Sequence, residues 1–374
     1  MKKNNLIILF TLFLSVTLVW SCDNEDDGPP AAGEFDRKAM LQNIGDNIII
    51  PGYQNLKTSV DALQIAVDAF TANPAAGTLG DARDKFDDAY LRWQAVSFYE
   101  IGEAEKVLLR GSFNTFPTNT ITINSNISSG SYNLDAVSNI DAVGLPAVDY
   151  LLFGTTDNDD DIINSFTTDT EASNRINYLK DLVTAMKTKI DQVVNAWSAD
   201  DGNFIATFIA ADGTDVGSSL GMLVNALNFH YERFTRDNKI GKPLGIRSLG
   251  IPIPANVEAR YSQQSIALAV ANLEAIKDFY LGKGEQDGLG LHDNLVDLDA
   301  KFEDGLLANK INEQIDLTID KVRAIPEPFE DTVENNADPA NDAYQELQKL
   351  LVLIKTDMPS ALGVLITYQD NDGA

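Results

Sequence analysis

The sequence predicts an all-α protein with long irregular loops. Apolar residues recur three and four apart along most of its 374 residues, strict period-two alternation is scarce, and the breaks between periodic runs are rich in Pro, Gly, Asn and Asp. Leu56, Val60, Leu63, Val67 and Phe70 form one stripe, and Phe86, Ala89, Tyr90, Trp93 and Val96 the next. A third runs from Ile176 through Leu179, Leu182, Val183, Met186, Ile190, Val193 and Val194 to Trp197. Further stripes pass through Leu220, Leu223, Val224, Leu227, Tyr231 and Phe234, through Ile266, Val270, Leu273 and Ile276, through Leu307, Ile311, Ile315 and Ile319, and through Leu347, Leu350, Leu351 and Ile354. Each reads as one face of an amphipathic helix. Residues 120–123 and 204–209 are the only short strand candidates, and neither has the partners expected of a sheet; the polar stretch 111–132 reads as a long loop.

The N-terminus carries its own signals. Lys2 and Lys3 precede a charge-free run from Leu6 to Trp20, the basic and apolar regions of a secretory signal. That run is shorter than the roughly 20 apolar residues of a membrane span. It ends at Val19-Trp20-Ser21-Cys22, which resembles the lipobox of bacterial lipoproteins. Residues 1–21 are therefore expected to be a signal peptide, and Cys22 the lipidated N-terminus that anchors the mature chain to a membrane. Residues 22–33, acidic and rich in Pro and Gly, read as a flexible tether. An acidic run directly after the cysteine is similar to the surface-export signal of Bacteroidetes lipoproteins. The resemblance implies an outer-membrane lipoprotein facing outward, with a periplasm-facing orientation as the alternative. Cys22 is the only cysteine, so the body has no internal disulfide and must rely on its core.

The length beyond the tether suits two domains, divided near the Asp200-Asp201-Gly202 break into 34–200 and 201–374. A formal net charge of −28 repels phosphates, which argues against nucleic acid and anionic lipid as partners. The same field draws cations diffusely, so weak iron or calcium binding is the expected limit of its metal chemistry. No certain cofactor is implied.

The sharpest motif is Gly144-Leu145-Pro146-Ala147-Val148-Asp149-Tyr150-Leu151-Leu152-Phe153-Gly154. It resembles the signature of the imelysin family, GxHxxE followed by an aromatic residue, two leucines, an aromatic residue and glycine, with Pro146 in place of the histidine and Asp149 in place of the glutamate. The likeness continues through Trp93-Gln94, Phe98, Glu100, Gly102, Glu103 and Ala104, then residues 113–117, Ser218-Ser219-Leu220-Gly221, Asn225, Glu232-Arg233 and residues 239–245. The resemblance implies two related up-and-down helical bundles packed together, with the signature at their interface. It also implies an association with iron acquisition rather than a settled reaction; a role in iron or haem uptake, with an outer-membrane uptake receptor as partner, is the expectation. A His and a Glu three apart share a helix face and reach one ion together. Proline offers no ligand atom, so the peptidase activity of the family's label is not expected here. Pro146 suits a first helical position and Asp149 a first turn. On that reading Asp149→Ala costs about 1 kcal/mol as a lost helix-end charge.

Asn225, Asn228 and Glu232 follow at i, i+3 and i+7 on the polar edge of one helix, where they either line the same interface as Asp149 or face solvent. With Glu100 and Glu103 they complete the set of side chains that two bundles would have to bring together. Residues 217–221 fit GxSxG, but a nucleophile elbow needs a strand before the serine, and Ser218 or Ser219 as a helix cap is simpler. Asp157-Asn158-Asp159-Asp160-Asp161 has the alternating carboxylates of a calcium loop but lacks its turn glycine and its closing glutamate. The two histidines, His230 and His292, lack ligand spacing. A non-catalytic binding lipoprotein is the expected function, with a hydrolase or a receptor scaffold as alternatives.

Overall fold

A computed structural model describes residues 35–156 and 158–368. The signal run, Cys22 and the acidic tether lie outside these described residues. From Asp36 onward the chain forms one compact, mainly helical unit. The helices Ile50–Ala72, Ala76–Val96 and Ala172–Trp197 pack against one another as a first bundle, and Ser265–Leu281, Leu307–Arg323 and Asp338–Val352 as a second. Ala76–Val96 also packs on Ser265–Leu281, which joins the two cores. The apolar stripes point inward. Nearly all their members are buried, whereas Ile176, Val194, Phe234 and Val270 are half-buried at the margins.

Both stretches read as strands are helical. Residues 120–123 open the helix Thr120–Ser129, with Asn119 Oδ1 accepting from the Thr122 N–H at 3.1 Å, and residues 204–209 fall within the helix Phe204–Ala210. Two or three apolar residues at alternate positions do not outweigh a capped helix that buries Ile123 and Ile127 on one side. The same helix occupies nearly half of the stretch read as a long loop. Among the described residues, extended pairing is limited to the hairpin of Lys301–Phe302 with Gly305–Leu306 and one isolated bridge between Lys283 and Asp287.

Among the described residues four helices contain π-wound segments: Ile44–Ile49, Tyr150–Gly154, Tyr231–Gly241 and Leu353–Asp357. The helix entering the third begins at Ser219, where Ser218 Oγ accepts from the Gly221 N–H at 3.0 Å. Ser219 is wholly buried and donates to the Phe208 carbonyl at 2.6 Å. With a helix rather than a strand before it, this serine has no elbow to sit on. No helix among the described residues is long and apolar enough to cross a membrane.

Candidate functional site

The signature forms the helix Gly144–Asp149 and the π-wound turn Tyr150–Gly154. Gly144 starts the helix at φ +74°, where a Cβ would stand 2.4 Å from the Phe113 carbonyl oxygen, so only glycine fits. Gly154 closes the motif against the Tyr261 ring, which a Cβ would meet at 2.1 Å. Leu151 and Leu152 are buried in the core. Pro146 is the third helical residue rather than the first, still among the positions whose N–H lacks an intrahelical partner.

Asp149 is the sixth helical residue and not a first-turn charge. Its carboxylate is 1% exposed and accepts two backbone bonds from the second half of the chain, from the Tyr261 N–H at 3.0 Å and the Ser262 N–H at 2.9 Å. Burial pushes the Asp149 carboxyl up to about 7, against the pull of those two donors. The loop it clasps passes through Ala259 and Gln263 in the left-handed region, at φ 47° and 59°. Pro146 and Asp149 line a cleft of about 180 Å³ together with Phe116, Thr118, Asn256 and Arg260. Tyr150 stands beside it, its ring 5.3 Å from that of Tyr261 and its hydroxyl 3.0 Å from Asn124 Nδ2.

Behind the clasp lies a buried polar network. Glu258 is fully buried and pairs with Lys239 Nζ. Its Oε1 accepts from Asn114 Nδ2 at 2.7 Å and Gln94 Nε2 at 3.2 Å, while Lys239 also donates to Gln94 Oε1 at 2.8 Å. Tyr90 donates to Asn114 Oδ1 at 2.8 Å. Asn272 donates to the Gln94 carbonyl at 3.0 Å and to Ser97 Oγ at 3.1 Å, and His230 Nε2 lies 3.3 Å from that hydroxyl. Burial holds the His230 imidazole well below its usual range, with Arg110 and Lys239 adding to the effect. Trp93, stacked on Phe113 at 5.1 Å, walls this network.

The remaining side chains of the expected set do not converge. Glu100 binds Arg110 Nη1 at 2.6 Å, and Glu103, half-buried, meets Lys106 at 3.2 Å. Asn225 accepts from the Thr367 N–H at 2.8 Å, beside a second cleft that Glu100 also borders. Asn228 is wholly buried and donates to the Val224 carbonyl, and Arg233 lies 4.9 Å over the Phe229 ring. Glu232, also wholly buried, pairs with Lys355 at 2.7 Å. Asn225, Asn228 and Glu232 thus neither face solvent as a stripe nor border the cleft of Asp149. The Asp159–Asp161 carboxylates occupy the first turn of the helix Asp159–Ser165, where Asp159 meets Arg83 at 2.8 Å.

A metal does not fit the signature. Pro146 supplies no donor, and each Asp149 oxygen is engaged by a backbone N–H. Among the described residues no group of three His, Cys, Asp or Glu side chains could hold an ion. Glu258 and Lys239 were the residues hardest to anticipate, since Glu258 sits alone in a Pro-rich break and its partners come from three distant segments.

The family model described as imelysin (Peptidase_M75) matches residues 49–354. The chain belongs to the imelysin family. This imelysin shares its fold with an iron-regulated protein A precursor from Parabacteroides distasonis, at 20% identity and a TM-score of 0.71, over 87% of this chain and 95% of that one. It is also similar to an imelysin-like protein from Psychrobacter arcticum, at 16% identity and a TM-score of 0.65, over 89% and 97% of the two chains. No curated protein matched this imelysin by sequence.

Proposed function

We propose that this chain is a cell-envelope imelysin-like lipoprotein that binds a ligand or partner without chemical turnover, in the service of iron acquisition. The observation that carries the reading is the state of the signature: Asp149, the one carboxylate lining the cleft, is consumed as a clasp for Tyr261 and Ser262, and Pro146 offers no ligand atom. The iron connection rests on family membership and on the iron-regulated protein A precursor of the same fold. At about 180 Å³ the cleft is below the roughly 300–1,000 Å³ of most small-molecule sites. It suits a small ligand or a side chain from an outer-membrane uptake receptor better than a haem.

Native mass spectrometry of the protein taken from iron-limited cells tests this directly. A bound species or receptor at near-stoichiometric level, reduced by Arg260→Ala at the cleft rim, is expected. Hydrolysis of a peptide library that is lost in Asp149→Ala would overturn the reading in favour of a peptidase.

Any cation affinity is weak and belongs to the diffuse acidic field, so calorimetry with ferrous or ferric ions should show no tight one-to-one binding and a signal that fades as salt rises. Sub-micromolar binding that persists at high salt and vanishes in Asp149→Ala would restore the signature as a metal site. Anchorage of the mature chain depends on Cys22, because acyl chains supply membrane affinity that nothing else in the body offers. Cys22→Ser should appear in the soluble fraction, and retention on membranes after a high-salt wash would defeat the lipoprotein assignment.

A further inference from the structure

A third pocket, which shares no lining residue with the cleft of Asp149, has the character of a ligand site. It measures about 390 Å³, within the range of small-molecule sites. It lies between the helix Ala172–Trp197, the helical turns on either side of Leu108 and the segment before Gly144, and its floor is Leu182, Ala185, Met186 and Val143. Its lip carries aliphatic side chains that a solvated surface does not need: Leu108 is 68% exposed, Val137 85% and Ile140 50%. Leu108 is held at φ 53°, an uncommon conformation for a non-glycine residue.

The rim adds charge of a sign that the chain otherwise lacks in excess. Lys106 and Lys189 border the pocket together with one carboxylate, Asp135, so the rim is net positive on a chain whose net charge is −28. Lys189 Nζ donates to the Val107 carbonyl at 3.2 Å, which fixes its head at the rim, and meets Asp135 only at 3.5 Å. Asp135 is mostly exposed there and Lys106 contacts the half-buried Glu103 at 3.2 Å. Each pair has one largely exposed partner, Asp135 in one and Lys106 in the other, so solvent screens both and they yield to a competing carboxylate.

We propose that this pocket binds a monoanionic amphiphile, an acyl chain ending in a carboxylate, with the chain on the apolar floor and the head at Lys189 and Lys106. The site is separate from the cleft of Asp149 and does not depend on the function proposed for it.

Calorimetry of the purified protein in detergent-free buffer with decanoate, decanol and decyltrimethylammonium tests the assignment. Decanoate should bind saturably one-to-one, about fivefold more tightly than decanol, the gain expected of a surface ion pair, and the cation should bind weakest. Ala185→Trp, which fills the floor, should abolish binding of decanoate and decanol alike. The double variant Lys106→Gln, Lys189→Gln should erase the preference for decanoate while leaving decanol unchanged. Absence of saturation at millimolar decanoate, equal affinity for decanol, or full binding by Ala185→Trp would each overturn the proposal.

Discussion

Lys239→Met should destabilise the protein by about 3–5 kcal/mol, because it leaves the Glu258 carboxylate buried without its cation. Burial pulls the Lys239 amine down, and the neighbouring Glu258 pulls it back. Asn114 and Gln94 would still donate to Glu258, but two amides do not replace an ammonium. Adding Glu258→Gln to Lys239→Met removes the stranded charge while keeping an acceptor for Asn114, and should recover much of the loss. Urea unfolding of the single and double variants measures this. A single variant within 1 kcal/mol of the parent would mean that the interface does not rest on the pair.

Asp149→Ala should cost about 2–4 kcal/mol, well above the 1 kcal/mol of a lost helix-end charge, since it strips the acceptor from two backbone N–H groups at once. The effect is expected to depend on pH. The Asp149 carboxyl titrates near 7 in the folded chain and near 4 once unfolded. Between those values the folded state holds a proton that the unfolded state has lost, so the stability contributed by Asp149 is full below about pH 4 and declines as pH rises through 7. The deficit of the alanine variant should therefore be larger at pH 5 than at pH 8. Denaturant midpoints at the two pH values test the sign, and a deficit that grows with pH would contradict it.

How much of this was legible in the sequence follows from the range of the interactions. The apolar stripes depend on residues three and four apart, and they located the helices, as at Leu56 to Phe70 and Leu307 to Ile319. The motif Gly144 to Gly154 was legible as a unit, but the reasons for its residues were not. Gly154 answers to Tyr261, and Asp149 to the N–H groups of Tyr261 and Ser262, all more than 100 residues away. Local reasoning therefore offered Asp149 a role at its own helix end, where it does not act. Glu232 was misread for a related reason. A helix wheel at 3.6 residues per turn puts it on the polar edge beside Asn228, yet it begins a segment wound more widely and is wholly buried.

That wide winding has a geometric consequence. In an α-helix each residue advances the azimuth by about 100°, and a turn closed from i to i+5 advances it less. Along Ser219–His230 the inward side chains are Leu220, Leu223, Val224 and Leu227, which belong to an apolar core. Beyond it, across Tyr231–Gly241, the buried side chains include Glu232, Arg236, Asp237 and Lys239, and Lys239 reaches Gln94 of the other bundle. The segment works as an angular offset in one continuous rod, turning its downstream end from the core of its own bundle toward the seam with its neighbour. The length of this stretch is thereby a phase setting: one residue fewer would swing Lys239 by roughly a quarter turn and detach it from Glu258 while leaving the rod itself intact.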